Sequence, residues 1–130
     1  MVQEFEKLTG TVGLAVFAAE LGGETHAQTV ALIREVAALS DKIEMRVLNP
    51  YIDRDEAQAR GIEQGPAVVV EGAAQSRVVF LGIPGGYEFA NLIDSIIVAS
   101  TGEPGLSAET VGALAGLQED VTIKVFTTPT

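Results

Sequence analysis

GPAVVVEGAAQSRVVFLGIPGGYEFANLIDSIIVAST, residues 65–101, is the stretch that decides how this chain folds. Pro66 has no N–H to give to a sheet, so it belongs at the start of a strand or on an edge. The run it opens, Ala67 to Val70, is β-rich and reads as a strand. Residues 71–76 read as a hairpin loop and residues 77–81 as the returning strand. Gly82, Ile83, Pro84, Gly85 and Gly86 form a tight turn. Phe89, Leu92, Ile93, Ile96 and Ile97 then recur at helical spacing, the strongest apolar stripe in the chain, over roughly 87–101.

Towards the N-terminus, Val2, Phe5 and Leu8 recur every third residue and predict a short amphipathic helix ended by Gly10. Residues 11–18 are apolar and read as a buried strand, followed by a turn at 21–23. Val30, Leu32, Ile33, Val36, Ala37 and Leu39 follow the helical period, which predicts a helix over 25–39 closed by Ser40-Asp41. Ile43, Met45 and Val47 alternate with Glu44 and Arg46, a half-buried strand that Asn49-Pro50 breaks. Asp53 stands where an N-cap would begin a short helix over 54–60, stopped by Gly61. Towards the C-terminus, residues 102–105 (Gly-Glu-Pro-Gly) read as a linker, and Ser107 is placed to cap a helix over 108–117. Val121, Ile123 and Val125 alternate with Thr122 and Lys124, which predicts a last strand.

A strand, a helix and a strand, then a hairpin and a helix, have few arrangements. A right-handed crossover makes the first two strands parallel, and the hairpin adds two antiparallel ones. The expected fold is therefore α/β, a four-stranded mixed sheet flanked by helices, over residues 1–102. Residues 103–130 add a linker, a helix and one more strand.

Composition bounds the rest. The chain has 130 residues, 47% apolar and 20% charged, which suits a folded unit with its own core. Its net charge of −10 disfavours nucleic acid and anionic membranes as partners, because phosphate is bound by Lys and Arg. No apolar run reaches the roughly 20 residues that span a bilayer. The N-terminal residues lack a signal peptide's basic start, so the expected place is the cytoplasm. There is no cysteine and a single histidine. Without a thiolate, disulfide exchange through a nucleophilic sulfur is closed to this chain alone.

LGIPGGYEFANLIDSIIVASTG, residues 81–102, resembles the turn and helix of the first thioredoxin-like unit in the tandem protein disulfide oxidoreductases of thermophiles. Together with ALSDKIEMRVLN, residues 38–49, it is also similar to the N-terminal domain of the alkyl hydroperoxide reductase flavoprotein. VTIKVFTTPT, residues 121–130, resembles the first strand of the second unit in the disulfide oxidoreductases. Gly85, Gly86, Tyr87, Glu88 and Phe89 and the terminal Thr-Pro-Thr are the most specific parts. The resemblance implies a thioredoxin-like fold in which Gly23 and His26 take the places of a first CxxC pair, so that this unit is a degenerate, non-redox one. It implies that residues 103–130 open a second unit and stop just before its motif. The full-length protein would then be a disulfide oxidoreductase serving redox homeostasis, and this chain its non-catalytic N-terminal part, packed on its own catalytic unit or on a redox protein. Two other readings stay open: a peptide- or protein-binding scaffold without redox role, and a docking domain of a peroxide-reductase electron-transfer system. No cofactor is implied.

The resemblance also makes Gly65 and Pro66 the candidate site. It implies a cis Gly65–Pro66 bond facing the degenerate pair, with the Gly65 backbone free to pair with an extended peptide. Only about 5–6% of X-Pro bonds are cis in general, and the plain alternative is a trans proline starting an edge strand. Gly23 to His26 lies at a helix N-terminus, where N–H groups and the dipole favour an anion, but Glu24 already supplies negative charge there. His26 has no second His or Cys to share a metal, so the reading is an exposed first-turn histidine and no metal site. Residues 82–86 lack the GxGxxG spacing of a phosphate loop. Asp53, Asp55 and Glu56 read as a solvated helix face, and no G-x-S-x-G supports a serine hydrolase. The final strand, having no partner within the chain, is expected to mediate a homodimer through the C-terminal helix and strand.

Overall fold

The computed structural model describes residues 2–72 and 77–128. The middle of the expected hairpin loop, residues 73–76, and the last two residues of Thr-Pro-Thr lie outside the described residues. The elements run α1 (Val2–Phe5), β1 (Val12–Phe17), α2 (Glu24–Ala37), β2 (Ile43–Leu48), α3 (Arg54–Ala59), β3 (Ala67–Glu71), β4 (Arg77–Leu81), α4 (Glu88–Thr101) and α5 (Ala108–Ala115).

The four strands form one sheet in the order β2-β1-β3-β4. β1 and β2 are parallel, with Val12 opposite Ile43 and Phe17 opposite Leu48. β3 runs antiparallel to both neighbours, Phe17 facing Ala67 and Ala67 facing Leu81. Strict alternation divides the sheet residues between two cores. Leu14, Val16, Val68 and Val70 join Ile33 and Val36 of α2 and Leu92, Ile93 and Ile96 of α4. Ala15, Phe17, Ala67 and Val69 meet Ala57 of α3 and Ile62 on the other face. Both faces of β1 and β3 are therefore covered, which is why those strands carry near-continuous apolar runs. Each large side chain withdrawn fully from water contributes about 1.5–3 kcal/mol before chain entropy is subtracted.

One polar junction ties the helical side to the sheet. Ser100, buried near the end of α4, accepts hydrogen bonds through its Oγ from the N–H groups of Thr9 (2.9 Å) and Gly10 (3.0 Å) and donates to the Gly10 carbonyl (2.7 Å). Gly10 has no side chain to obstruct this approach: a Cβ there would lie 2.9 Å from the Ser100 carbonyl oxygen.

Several expectations are corrected. Asp53 does not cap α3 with its side chain; its Oδ2 instead accepts the N–H of Asn49 at 2.7 Å, closing the loop before the helix. Ser107 does cap α5, accepting the Thr110 N–H at 3.2 Å. Residues 121–126 form no strand among the described residues. Alternation alone does not make a strand; a ladder partner does, and the sheet ends at β2 and β4. Residues 102–128 are exposed along their whole length, and α5 buries no residue.

Candidate functional site

At one end of the sheet β1 and β2 finish, β3 begins and β4 finishes, a consequence of two parallel strands followed by an antiparallel pair. The loops at 18–23, 49–53, 62–66 and 82–87 therefore gather there. His26, in the first turn of α2, lies against Gly65 across this end, while Gly23 stands open at the start of the helix with nothing within 4 Å of a Cβ built on it.

The Gly65–Pro66 peptide bond is cis. The Pro66 carbonyl accepts the Gly82 N–H at 2.8 Å, which fixes the turn after β4 against the start of β3. Gly65 itself has no hydrogen-bond partner among the described residues for its N–H or C=O. It is packed so closely that a Cβ would stand 2.7 Å from the Phe17 carbonyl oxygen and 3.1 Å from Cε1 of His26. Beside it lies a cleft of about 330 Å³ lined by Glu63, Gln64, Gly65, Pro66, Leu81 and Gly82. Leu21, Ile52 and Tyr87, from three of the converging loops, and Leu81 at the end of β4 are exposed.

His26 departs from the sequence reading, which places it in solvent. It is buried, 9% exposed, with Nδ1 accepting the Ala19 N–H at 3.0 Å. The physical reason is Gly22. A Cβ on that residue would strike the imidazole, so only glycine lets the ring lie on the 19–22 turn, which is closed by the Gly22 N–H on the Ala19 carbonyl at 3.0 Å. A nitrogen that accepts a backbone N–H carries no proton, so the neutral ring bears its proton on Nε2. The imidazole is thus engaged as an acceptor inside the loop. Gly23 is the N-cap of α2 at φ 91°, a backbone that strongly favours glycine, and provides no side-chain cap. Glu24 is exposed and accepts a hydrogen bond from Gln28 at 2.8 Å. With no sulfur nucleophile in the chain, this end offers shape and backbone polar groups and no thiol.

The acidic residues of α3 serve structure. Glu56 pairs with Arg60 and, at 3.4 Å, with Arg46, while Arg60 also binds Glu71 of β3. The hydrogen bond from Arg60, then its charge, holds the Glu56 carboxyl below the usual carboxylate range. The bond to Glu71 chiefly pushes the Arg60 guanidinium up. Among the described residues no three His, Asp or Glu side chains converge as metal ligands, and no helix is long and apolar enough to cross a membrane. Sequence reasoning missed Gly22, Ala19 and the Arg60–Glu71 pair. The Gly22-Gly23 doublet just before a helical histidine is the one signal that points to the first two.

This sheet order, with a cis-proline at the start of β3 facing the N-terminus of α2, defines a thioredoxin-like fold. Comparison with solved structures agrees on the fold. The chain is similar to the alkylhydroperoxide reductase protein AhpF of Enterococcus faecalis, at 26% identity and a TM-score of 0.79 over 89% of this chain and 56% of that one. It is similar to a protein disulfide oxidoreductase of Aeropyrum pernix, at 26% identity and a TM-score of 0.77 over 89% of this chain and 51% of that one. A Halobacterium salinarum thioredoxin, 21% identical with a TM-score of 0.55 over 70% of this chain and 76% of that one, shares the fold. The chain spans about half the length of the first two. No family model and no curated protein matches it.

Proposed function

We propose that this chain is the non-catalytic N-terminal thioredoxin-like part of a disulfide oxidoreductase, acting in cytoplasmic redox homeostasis with the thiol chemistry carried elsewhere in the parent protein. The observation that carries the reading is His26. It fills the place opposite Gly65 where the chemistry would sit, and it commits Nδ1 to the Ala19 amide, so the geometry of the site is kept while its reactivity is absent. Residues 1–102 would form this unit, and residues 103–130 would lead into the catalytic one, its partner. Reading the transcript across Thr130 tests it. A following thioredoxin-like unit with Cys-x-x-Cys supports the proposal; a stop codon there overturns it.

A peptide-holding scaffold without redox role is the second reading, favoured by the unpartnered Gly65 backbone and the exposed Leu21, Leu81 and Tyr87 around it. A docking domain for peroxide-reductase electron transfer is the third, favoured by the likeness to the Enterococcus reductase. A flavoprotein domain after Thr130 would select it. The net charge of −10 argues against nucleic acid and anionic membranes in all three.

A further inference from the structure

His26 is held by a hydrogen bond that only its neutral form can make. Nδ1 accepts the Ala19 N–H at 3.0 Å, so it presents a lone pair and no proton. An imidazolium carries N–H on both ring nitrogens. Protonating Nδ1 in place would set two N–H groups against each other, and a flipped ring would offer Ala19 only a C–H. Either way the amide loses its acceptor. The ring is also buried, packed against Gly22 on one side and, through Cε1, against Gly65 on the other.

The loop that this bond closes has little else to hold it. The other tie within residues 19–22 is the Gly22 N–H on the Ala19 carbonyl at 3.0 Å. Leu21, the loop's large apolar residue, is fully exposed, and Glu20 and Gly22 are exposed beside it. Firm pairing to the sheet ends one residue earlier, where the Ala18 N–H meets the Leu48 carbonyl at 2.8 Å. A segment with so few buried contacts opens locally at far less cost than the sheet unfolds.

The charges around the ring are of one sign. The loops at 18–23, 49–53, 62–66 and 82–87 carry Glu20, Asp53 and Glu63 and no Lys or Arg, and the first turn of α2 adds Glu24. The phenols of Tyr51 and Tyr87 complete the titratable groups of these segments. Asp53 is taken up by the Asn49 amide and Glu24 by Gln28. Arg54 and Arg60, which flank two of the loops, are held by the Tyr51 carbonyl and by Glu56 and Glu71. A charged ring released from its pocket therefore meets the exposed carboxylates of Glu20, Glu24 and Glu63 and no free cation of these loops.

We propose that His26 is a proton-operated latch. Its neutral ring ties the 19–22 loop to the first turn of α2, and its protonation in mild acid releases that loop and uncovers the Gly65 side of the cleft. The sense follows from linkage: the closed loop binds one proton fewer than the open one, so acid favours opening. Histidine is the side chain whose charge ordinarily changes between about pH 5 and 8, and this chain has a single one. The proposal goes beyond the redox reading and does not depend on it.

Amide exchange and nuclear magnetic resonance on the full chain test it. The single imidazole reports its tautomer and charge in a long-range proton–nitrogen spectrum, and at about pH 8 should be the neutral Nε2–H form. Towards about pH 5 the protection of the Ala19 and Gly22 amides should fall as the ring becomes charged, by up to about tenfold per pH unit, the limit for one proton. The Ala18 amide should keep its protection. His26→Asn, whose Oδ1 takes the place of Nδ1 and gains no proton in this range, should protect Ala19 independently of pH. His26→Ala should leave that amide unprotected throughout. The parent measurement stands without either variant. A ring that charges while Ala19 and Gly22 stay protected, protection unchanged across the range, or loss at Ala18 in step with Ala19 would overturn the proposal, as would the parent's pH response in a folded His26→Asn chain.

Discussion

Replacing Gly65 by alanine should destabilise the chain, by an amount that the packing at the site sets. The new methyl would stand 2.7 Å from the Phe17 carbonyl oxygen, well inside the about 3.5–4.0 Å at which nonbonded heavy atoms attract. That oxygen belongs to a fully buried β1 residue held between Leu48 and Ala67, so it cannot retreat. The start of β3 must move instead. Overpacking of this kind costs about 1–3 kcal/mol, and the stiffer unfolded chain returns about 0.4–1, leaving a net loss of about 1–2 kcal/mol. Each kcal/mol lowers Tm by about 4–8 °C in a domain of this size. Urea and thermal melts followed by far-ultraviolet circular dichroism suit a protein without tryptophan. Gly85→Ala is the control, because a Cβ there meets nothing within 4 Å. Gly22→Ala supplies the contrast: the three atoms nearest its methyl all belong to the His26 side chain, which can move, whereas the atom nearest a methyl at Gly65 is backbone. In a His26→Ala background the Gly22→Ala loss should vanish, whereas most of the Gly65→Ala loss should persist. Equal melting of Gly65→Ala and Gly85→Ala, or rescue of Gly65→Ala by His26→Ala, would refute this account of the site.

Ser100→Ala strips partners from the Thr9 and Gly10 amides and the Gly10 carbonyl, and should cost about 1–3 kcal/mol in the same melts; a loss below about 0.5 would mean water replaces the hydroxyl. Glu56, its carboxyl held low by Arg60, contributes stability that is present above the ordinary carboxylate pKa and lost as pH falls through its lowered folded value. The urea midpoint of Glu56→Gln should therefore lie below the parent's near neutrality and converge with it in acid; an unchanged gap would show the pair is not the cause. The parent chain should not reduce insulin disulfides with dithiothreitol beyond the buffer rate, because it has no sulfur nucleophile. Gly23→Cys with His26→Cys should gain weak activity from a thiolate at the N-terminus of α2, and a dead variant that still folds would show the helix start is wrongly shaped for it.

The sheet was legible because its residues obey period two on both faces. The Val68–Val70 run, the Ile43–Met45 alternation and the α4 stripe each map onto a single element. What escaped were features made by contact between segments distant in sequence. Nothing near Ser100 in the chain announces Gly10, ninety residues away. Asp53 satisfies the local rule for a cap, yet its carboxylate found the Asn49 amide, because the short loop before α3 brings that N–H closer. Residues 121–126 carry a strand's pattern without a strand's partner, and pattern reports only what a segment would bury. His26 misled for a related reason. A histidine in a first helical turn is usually solvated, and its burial depended on a missing Cβ four residues earlier.

That missing Cβ explains how this end of a thioredoxin-like sheet is held together without any cysteine. A thiol is small and a weak hydrogen-bond acceptor, whereas an imidazole is bulky and a good one. Placing the ring at position 26 requires space, which Gly22 and Gly65 both give by lacking a side chain. In return the ring accepts the Ala19 amide, a donor that would otherwise lie partly buried and unmatched, at a cost of about 1–3 kcal/mol. The loop after β1 is thereby tied to the first turn of α2, and both sit against the start of β3. The two glycines and the histidine thus form one mutually dependent set. Changing His26 alone frees the Ala19 amide, and changing Gly22 alone displaces the ring. Introducing cysteines at 23 and 26 without a new partner for the Ala19 amide would place the nucleophile on a loosened loop, which is why the activity gained should be weak.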